Sequence, residues 1–322
     1  VSGSVERSAD RRAQERPAWP PALVEVMGGT AVADEKGTSL WRGAVQRLRR
    51  NPSAIVGAVI VLAFVVVAAA APLLAPYEPA STEWIAMVTP SDVPGPFPGH
   101  PLGLDPFGSD LLTQLLYGAR QSLLIGVVST SLGLLVGAAL GGLAGAFGGW
   151  VDTLVMRVVD ILLSIPSLLL AVSVAAVLGR NPLAIMIAIA AAQVPIFARL
   201  LRGSMLSQRG QDYVLAASSL GLRRRTVVMS HVLPNSLGPV IVQATLTLAT
   251  SIIEVAALSY LGLGAPNPAV AEWGRMLVKG QERLQSDPHL TLLPGVCIAI
   301  TALGFTLFGE ALREALDPKS RR

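Results

Sequence analysis

Residues 212–234 read DYVLAASSLGLRRRTVVMSHVLP, a polar and basic stretch in a chain that otherwise keeps returning to long apolar runs. The stretch opens on Asp212, a residue type suited to an N-cap. A short run with apolar or small residues at Tyr213, Ala216, Ala217 and Leu220 follows, and Gly221 closes it as a helix terminator would. Arg223, Arg224 and Arg225 come next. A second apolar run then ends at Leu233 and Pro234. The expected local structure is a helix–glycine–helix module over 202–234, a compact shape that a partner can grip.

Composition says what surrounds it. The chain has 322 residues, 52% hydrophobic and only 14% charged, whereas a soluble protein carries roughly a quarter of its residues charged. There is too little charge to cover a water-exposed surface, and a polytopic membrane protein is the expected class. The single cysteine, Cys297, excludes an intrachain disulfide and a cysteine-based metal site. Residues 1–40 mix Arg, Glu, Asp, Pro and Gly and read as a disordered tail without a signal peptide. Residues 41–52 place Arg42, Arg47, Arg49 and Arg50 around Trp41, Val45 and Leu48, the pattern of a basic juxtamembrane helix.

A spanning helix needs about 20 apolar residues. Six stretches qualify: 53–75, 121–150, 151–178, 183–201, 236–263 and 290–307. Between the first two lies a Pro- and Gly-rich extracytoplasmic loop, 76–117. A core over 118–312 then holds the second to sixth spans, and 313–322 is a second tail. Six spans put both termini on one side. Arg199–Arg225, the N-terminal flank and the tail with Arg313, Lys319, Arg321 and Arg322 share that side. By the positive-inside rule it is the cytoplasm, and the 202–234 module faces it too. Within the second span, Gly133, Gly137, Gly141 and Gly145 recur every four residues, a face along which another helix can approach closely.

Few residues invite chemistry. Arg157 and Asp160, three apart, are expected to pair locally. Glu254 lies deep in the fifth span and is a candidate for the translocation path or its gating. None of the three lysines sits in a phosphate-cradling loop, and the three histidines form no His-Glu-x-x-His pair. No Gly-x-Ser-x-Gly elbow occurs. His100 with Asp105 and Asp110 has the residue types for a metal, but a turn-rich loop with its charges in solvent is the expected reading. The chain is therefore not expected to be an enzyme or to bind a cofactor.

The spacing Ala216-Ala217, Gly221, Leu233-Pro234 resembles the EAA loop of ABC-importer permeases. Leu215 stands where that pattern has glutamate, and His231 where it has isoleucine. His231 to Asn235 (His-x-Leu-Pro-Asn) is similar to the form found in the dipeptide/oligopeptide/nickel branch. His100-Pro101-Leu102-Gly103, Tyr117-Gly118-Ala119-Arg120, Gly148-Gly149-Trp150, the run Ala256–Gly264, Trp273-Gly274 and Leu316-Asp317-Pro318 are similar to segments of that branch. Asn51-Pro52 matches its subunit with an extra leading segment. The resemblance runs from about residue 41 to the C-terminus.

The resemblance implies an all-α permease of the type I importer fold with a cytoplasmic coupling helix, in a bacterial or archaeal cell membrane. It further implies a second homologous permease subunit, two ATPase subunits that hold ATP and Mg, and an extracytoplasmic solute-binding protein. Membrane lipid surrounds it and nucleic acid has no part. On that reading Asp212 caps the coupling helix, while Tyr213, Ala216 and Ala217 present its face to the ATPase. Gly221 makes the turn, and Leu233 and Pro234 close the module. Peptide import by alternating access is the implied function; nickel chelates or glutathione are alternative cargoes. An ion-coupled secondary transporter would call for several buried acids and broken repeats, and a non-transporting scaffold for an accidental motif.

Overall fold

The computed structural model describes residues 40–89, 92–264 and 271–316. The expected tail over 1–39, residues 317–322 of the second tail, and the side chains of Trp41 and Arg42 lie outside the described residues. The unit Ala44–Arg322 is helical, among its described residues, apart from isolated bridges and turns.

Helix α1 (Leu40–Leu48) leads into α2 (Pro52–Leu74). Asn51 caps α2 by accepting from the amides of Ser53 and Ala54, and Pro52 occupies a first-turn position where its missing N–H costs nothing. Asn51 also donates to Glu314 at 3.1 Å. This ties the start of α2 to the last long helix, α11 (His289–Leu316). The two pack closely because Gly57 and Gly304 leave room: a Cβ on Gly57 would stand 2.6 Å from the Phe308 nitrogen. The other face of α2 carries Val59, Leu62 and Val66, all exposed, as a lipid-facing surface requires.

The loop after α2 is shorter and far better ordered inside than its composition suggests. Helix α3 (Leu111–Phe147) starts ten residues before the expected span, because Asp110 caps it by accepting from the Thr113 amide at 2.8 Å. His100 is stacked on Tyr77 and edge-on to Trp84, with ring centroids 4.8 and 4.4 Å apart. Its Nδ1 lies 2.9 Å from Asp110. Asp105 accepts from Lys279 at 2.9 Å. The expectation of charges in solvent is therefore corrected: His100, Asp105 and Asp110 are all buried. Each is bonded, as burial of such groups demands.

Helix α3 and helix α6 (Pro182–Arg209) form the central seam. The four-residue glycine repeat of α3 lies on it. A Cβ on Gly133 would meet Ala190 and Gln193, one on Gly137 would stand 2.6 Å from the Val194 carbonyl, and one on Gly145 would stand 2.8 Å from the Met205 sulfur. On Gly141 it would overlap the Ala198 carbonyl. The glycine face is thus filled from within this chain.

The expected span 151–178 is broken. Helix α4 (Gly149–Leu163) and helix α5 (Ser167–Leu178) meet at 93°. Pro166 has no amide to continue the ladder, and its own ψ of 133° takes the chain out of the helical region. Five helices among the described residues are long and apolar enough to cross a membrane, or six if this bent pair counts as one. Asp160 pairs with Arg199 of α6, not locally with Arg157 as expected. Asp152 takes Arg202 in a two-pronged bond at 2.9 and 2.6 Å. Both acids face α6 because α4 lies along it.

The fifth span covers Arg224–Leu263 and is helical up to a kink at Gly262, where φ is +80°. It contains α8 (Arg224–Val227), a wide π turn (Val228–Val232), α9 (Leu233–Leu258) and a second π turn (Ser259–Leu263). The first π turn sits just ahead of Pro234, whose missing N–H cannot serve the preceding turn, and a wide turn absorbs such a break. Helix α10 (Trp273–Gln281) then buries Trp273 against α3. Its indole donates to the Leu115 carbonyl at 3.1 Å, over Gly118, where any side chain would collide with the ring.

Candidate coupling module and membrane interior

Helix α7 (Asp212–Ser219) is the short helix of the module. Its N-cap is Gln211, which makes no side-chain capping bond, so the expected capping role of Asp212 is corrected. Asp212 occupies the first helical position, where its charge complements the positive end of the helix dipole. The other end is a Schellman close: the Gly221 amide donates to Ser218 at 3.0 Å and the Leu222 amide to Ala217 at 3.3 Å. Gly221 has φ +80° and open space around it. Its requirement is thus conformational, not steric.

The face of α7 differs from the expected one. Ala217 is only 6% exposed and turns inward with Val214. Both join Met205, Phe197, Val227 and Val228 in a core beneath the helix. Spacing explains this: 214 and 217 are three apart and lie on one face. Ala217 therefore cannot present itself to a partner. Tyr213 and Ala216 are exposed, and so are Leu215, Leu220 and Leu222. Together they form an exposed apolar edge in a polar segment, and the leucine that departs from the motif is part of it. Leu233 is half-buried against the core under α7, and Pro234 begins the span behind it.

Two arginines fasten the module to the central seam. Arg224 donates to the carbonyls of Ala146 and Phe147 at 2.9 Å each, and Arg209 donates to Ala146 at 2.6 Å. These carbonyls end α3, where backbone acceptors lack helical partners and cations are favoured. From sequence this triplet reads as an anchor to lipid phosphates or a topology signal; its Arg224 is a cap on another helix.

Inside the bundle a row of polar groups joins α3, α6 and α9. Ser251 meets Thr130 at 2.7 Å and accepts from Gln193 at 2.7 Å. Glu254 is half-buried one turn further along α9, with Gln193 and Ser167 against its carboxyl. One carboxylate oxygen of Glu254 and the amide oxygen of Gln193 have no hydrogen-bond partner among the described residues. Glu254 is the one member of this row singled out from sequence; Gln193 and Ser251 are not, although an amide inside an apolar run is a visible signal. Among the described residues no three His, Cys, Asp or Glu side chains are grouped to hold a metal.

On the far side from the module, Glu272 caps α10 and accepts from Ser259 at 2.6 Å. Burial pushes its carboxyl up to about 7, against the opposing pull of the Ser259 and Gly274 bonds and of Arg275. A carboxyl whose folded value is raised contributes stability fully below its ordinary 4.5, and loses it as pH rises through about 7. That gap corresponds to about 3 kcal/mol. The native chain is therefore expected to lose thermal stability between pH 4.5 and about 7, and Glu272→Gln to flatten that fall. Melting curves of detergent-solubilised protein across that range test it, and parallel curves for the two proteins would contradict it.

Known families match this architecture. Residues 137–322 match the model for the binding-protein-dependent transport system inner membrane component. Residues 39–90 match the N-terminal TM domain of oligopeptide transport permease C. The chain is 43% identical over 284 residues to a dipeptide transport system permease protein, DppC, of Alkalihalophilus pseudofirmus, covering 88% of this chain and 91% of the relative. It is 35% identical over 288 residues to the glutathione transport system permease protein GsiD of Pectobacterium atrosepticum, covering 89% and 94%. Its fold is similar to that of a chain in an inward-facing structure of the MetNI methionine ABC transporter. There the TM-score is 0.53 at 19% identity, covering 64% of this chain and 98% of that one.

Proposed function

Because this chain belongs to the binding-protein-dependent transport system inner membrane components, the permeases of ABC importers, we propose that it carries di- or oligopeptides across the cytoplasmic membrane by alternating access. The observation that carries the reading is the α7 module: a short helix with an exposed apolar edge, inserted between two spanning helices and bonded to the end of a third. Such a module can pass a push from outside the membrane into the bundle.

The chain is the multi-pass permease component and not the catalytic one. Powered transport on this reading needs two ATPase subunits, which bind ATP and Mg, a second permease subunit and an extracytoplasmic binding protein. Tyr213, Leu215 and Ala216 meet the ATPase, while Val214 and Ala217 hold α7 to the bundle and Gly221 shapes its turn. Asp212 steadies the start of α7; Leu233 and Pro234 connect the module to its span. Glu254, with Gln193, lines or gates the path. The glycine face at Gly133, Gly137, Gly141 and Gly145 keeps α3 and α6 moving as one body. Basic residues near both ends of the chain support cytoplasmic termini.

A glutathione relative at 35% identity favours one second reading, glutathione as cargo, itself a tripeptide. The test is uptake in a strain lacking this chain, with labelled dipeptide, labelled oligopeptide and labelled glutathione offered separately. Loss of dipeptide or oligopeptide uptake, restored by the gene, is the expected result. Unchanged peptide uptake with lost glutathione uptake would replace the cargo, and unchanged uptake of all three would remove the transport reading.

A further inference from the structure

The bundle carries an open groove of about 630 Å³ that the transport reading does not use. Its walls are Ala139, Gly142 and Leu143 of α3 facing Val228 and Met229. Arg224 and Arg225 stand at its mouth, and no acidic residue lines it. Leu143, Phe147 and Met229 are about half exposed or more.

Two features of shape and charge identify the occupant. First, the α3 wall runs from Ala138 to Phe147, a rise of about 14 Å along a helix. That is close to one leaflet of hydrocarbon, half of about 30 Å. Second, polarity changes along this length: Arg224 bonds the carbonyls of Ala146 and Phe147 where α3 terminates, Arg225 follows it in the chain, and the other lining residues are apolar. Arg224 is committed to the α3 carbonyls, whereas Arg225 is exposed and has no side-chain partner among the described residues. A basic mouth between helices at the membrane surface suits an anionic head group, and guanidinium matches phosphate in geometry as well as charge.

We propose that this groove is a binding site for one anionic glycerophospholipid of the leaflet on the module's side. An acyl chain lies along Gly142 and Met229, and the phosphate lies on Arg225. A peptide partner or second permease chain would place side chains there instead, and a free phosphate would leave the groove empty. The site would exist whatever the cargo. Its position beside Arg224 puts the lipid against the joint between module and bundle.

The test uses the full chain, purified in mild detergent and examined by native mass spectrometry after titration with phosphatidylglycerol or phosphatidylcholine. One phosphatidylglycerol per chain should be retained, several-fold in preference to phosphatidylcholine. Arg225→Glu should lower retention threefold or more, and Arg225→Lys should keep most of it. Gly142→Phe should also lower it by filling the groove. A side chain at 142 is sterically permitted, since the nearest atom to its Cβ is Leu201 Cδ2 at 3.8 Å. Equal retention of both lipids, or no effect of Arg225→Glu and Gly142→Phe in monodisperse protein, overturns the proposal. So does displacement of the lipid by millimolar inorganic phosphate, or a Met229→Cys chain that cross-links to a second permease subunit and retains no lipid.

Discussion

Gly141→Ala is expected to unfold or strongly destabilise the bundle, whereas Gly142→Ala one position away is expected to change little. The methyl group at 141 would overlap the Ala198 carbonyl, a backbone atom that cannot rotate aside. Relief requires the two central helices to separate along their whole contact, losing the close approach at Gly137 and Gly145 as well. Overpacking a tight interior costs about 1–3 kcal/mol and sometimes more; a backbone collision at a helix seam belongs at the upper end. At 142 the nearest neighbour stands 3.8 Å away, an ordinary contact. Melting temperature and the monodisperse fraction after solubilisation read both variants side by side. Equal behaviour of the two would mean that the α3–α6 seam does not limit stability.

The second large effect separates docking from folding within eight residues. Ala216→Arg should leave the permease melting as before yet lower binding-protein-stimulated ATP hydrolysis of the assembled complex by tenfold or more, because it puts a long charge on the exposed face of α7. Ala217→Arg should act differently. It forces a charge into the core formed with Val214, Val227 and Val228, and an unpaired buried charge costs several kcal/mol. Its first symptom should be a lower melting temperature of the isolated permease. Full stimulated hydrolysis in an Ala216→Arg complex would sink the assignment of this face to the ATPase. A stable Ala217→Arg permease would contradict the packing beneath it.

The long apolar runs and the module between them were legible from sequence because both are local. Lipid-length runs without charge have few alternatives to spanning helices, and Gly221 announces its own positive φ. What stayed hidden was decided by distant partners. Pro166 divides a stretch whose first half is largely apolar apart from Asp152, Arg157 and Asp160 and whose second half is uncharged, so hydropathy alone joins them. Asp160 has a basic neighbour three residues away, but α6 brings Arg199 closer. In α7, positions 213, 216 and 220 make as good a helical stripe as 214 and 217, and only the neighbouring core decides which one turns in. His100, Asp105 and Asp110 look like solvated loop charges. Their burial depends on Tyr77, Trp84 and Lys279, which arrive from elsewhere in the chain.

Helix α3 has 37 residues, about 56 Å of rod, while the hydrocarbon it crosses is about 30 Å thick. It therefore protrudes, and each protruding end is held by something different. Near one end Trp273 bonds Leu115 and Gln114 bonds Pro79; at the other Arg209 and Arg224 hold Ala146 and Phe147. If the rod tilts as one body by about 5°, its ends shift by about 5 Å relative to each other. A displacement of that size exceeds the reach of any of these bonds. A partner that moves the module must then either drag the outer cap with it or break bonds at one end. Communication across this membrane needs no relay of side chains, only a helix too long to move at one end alone.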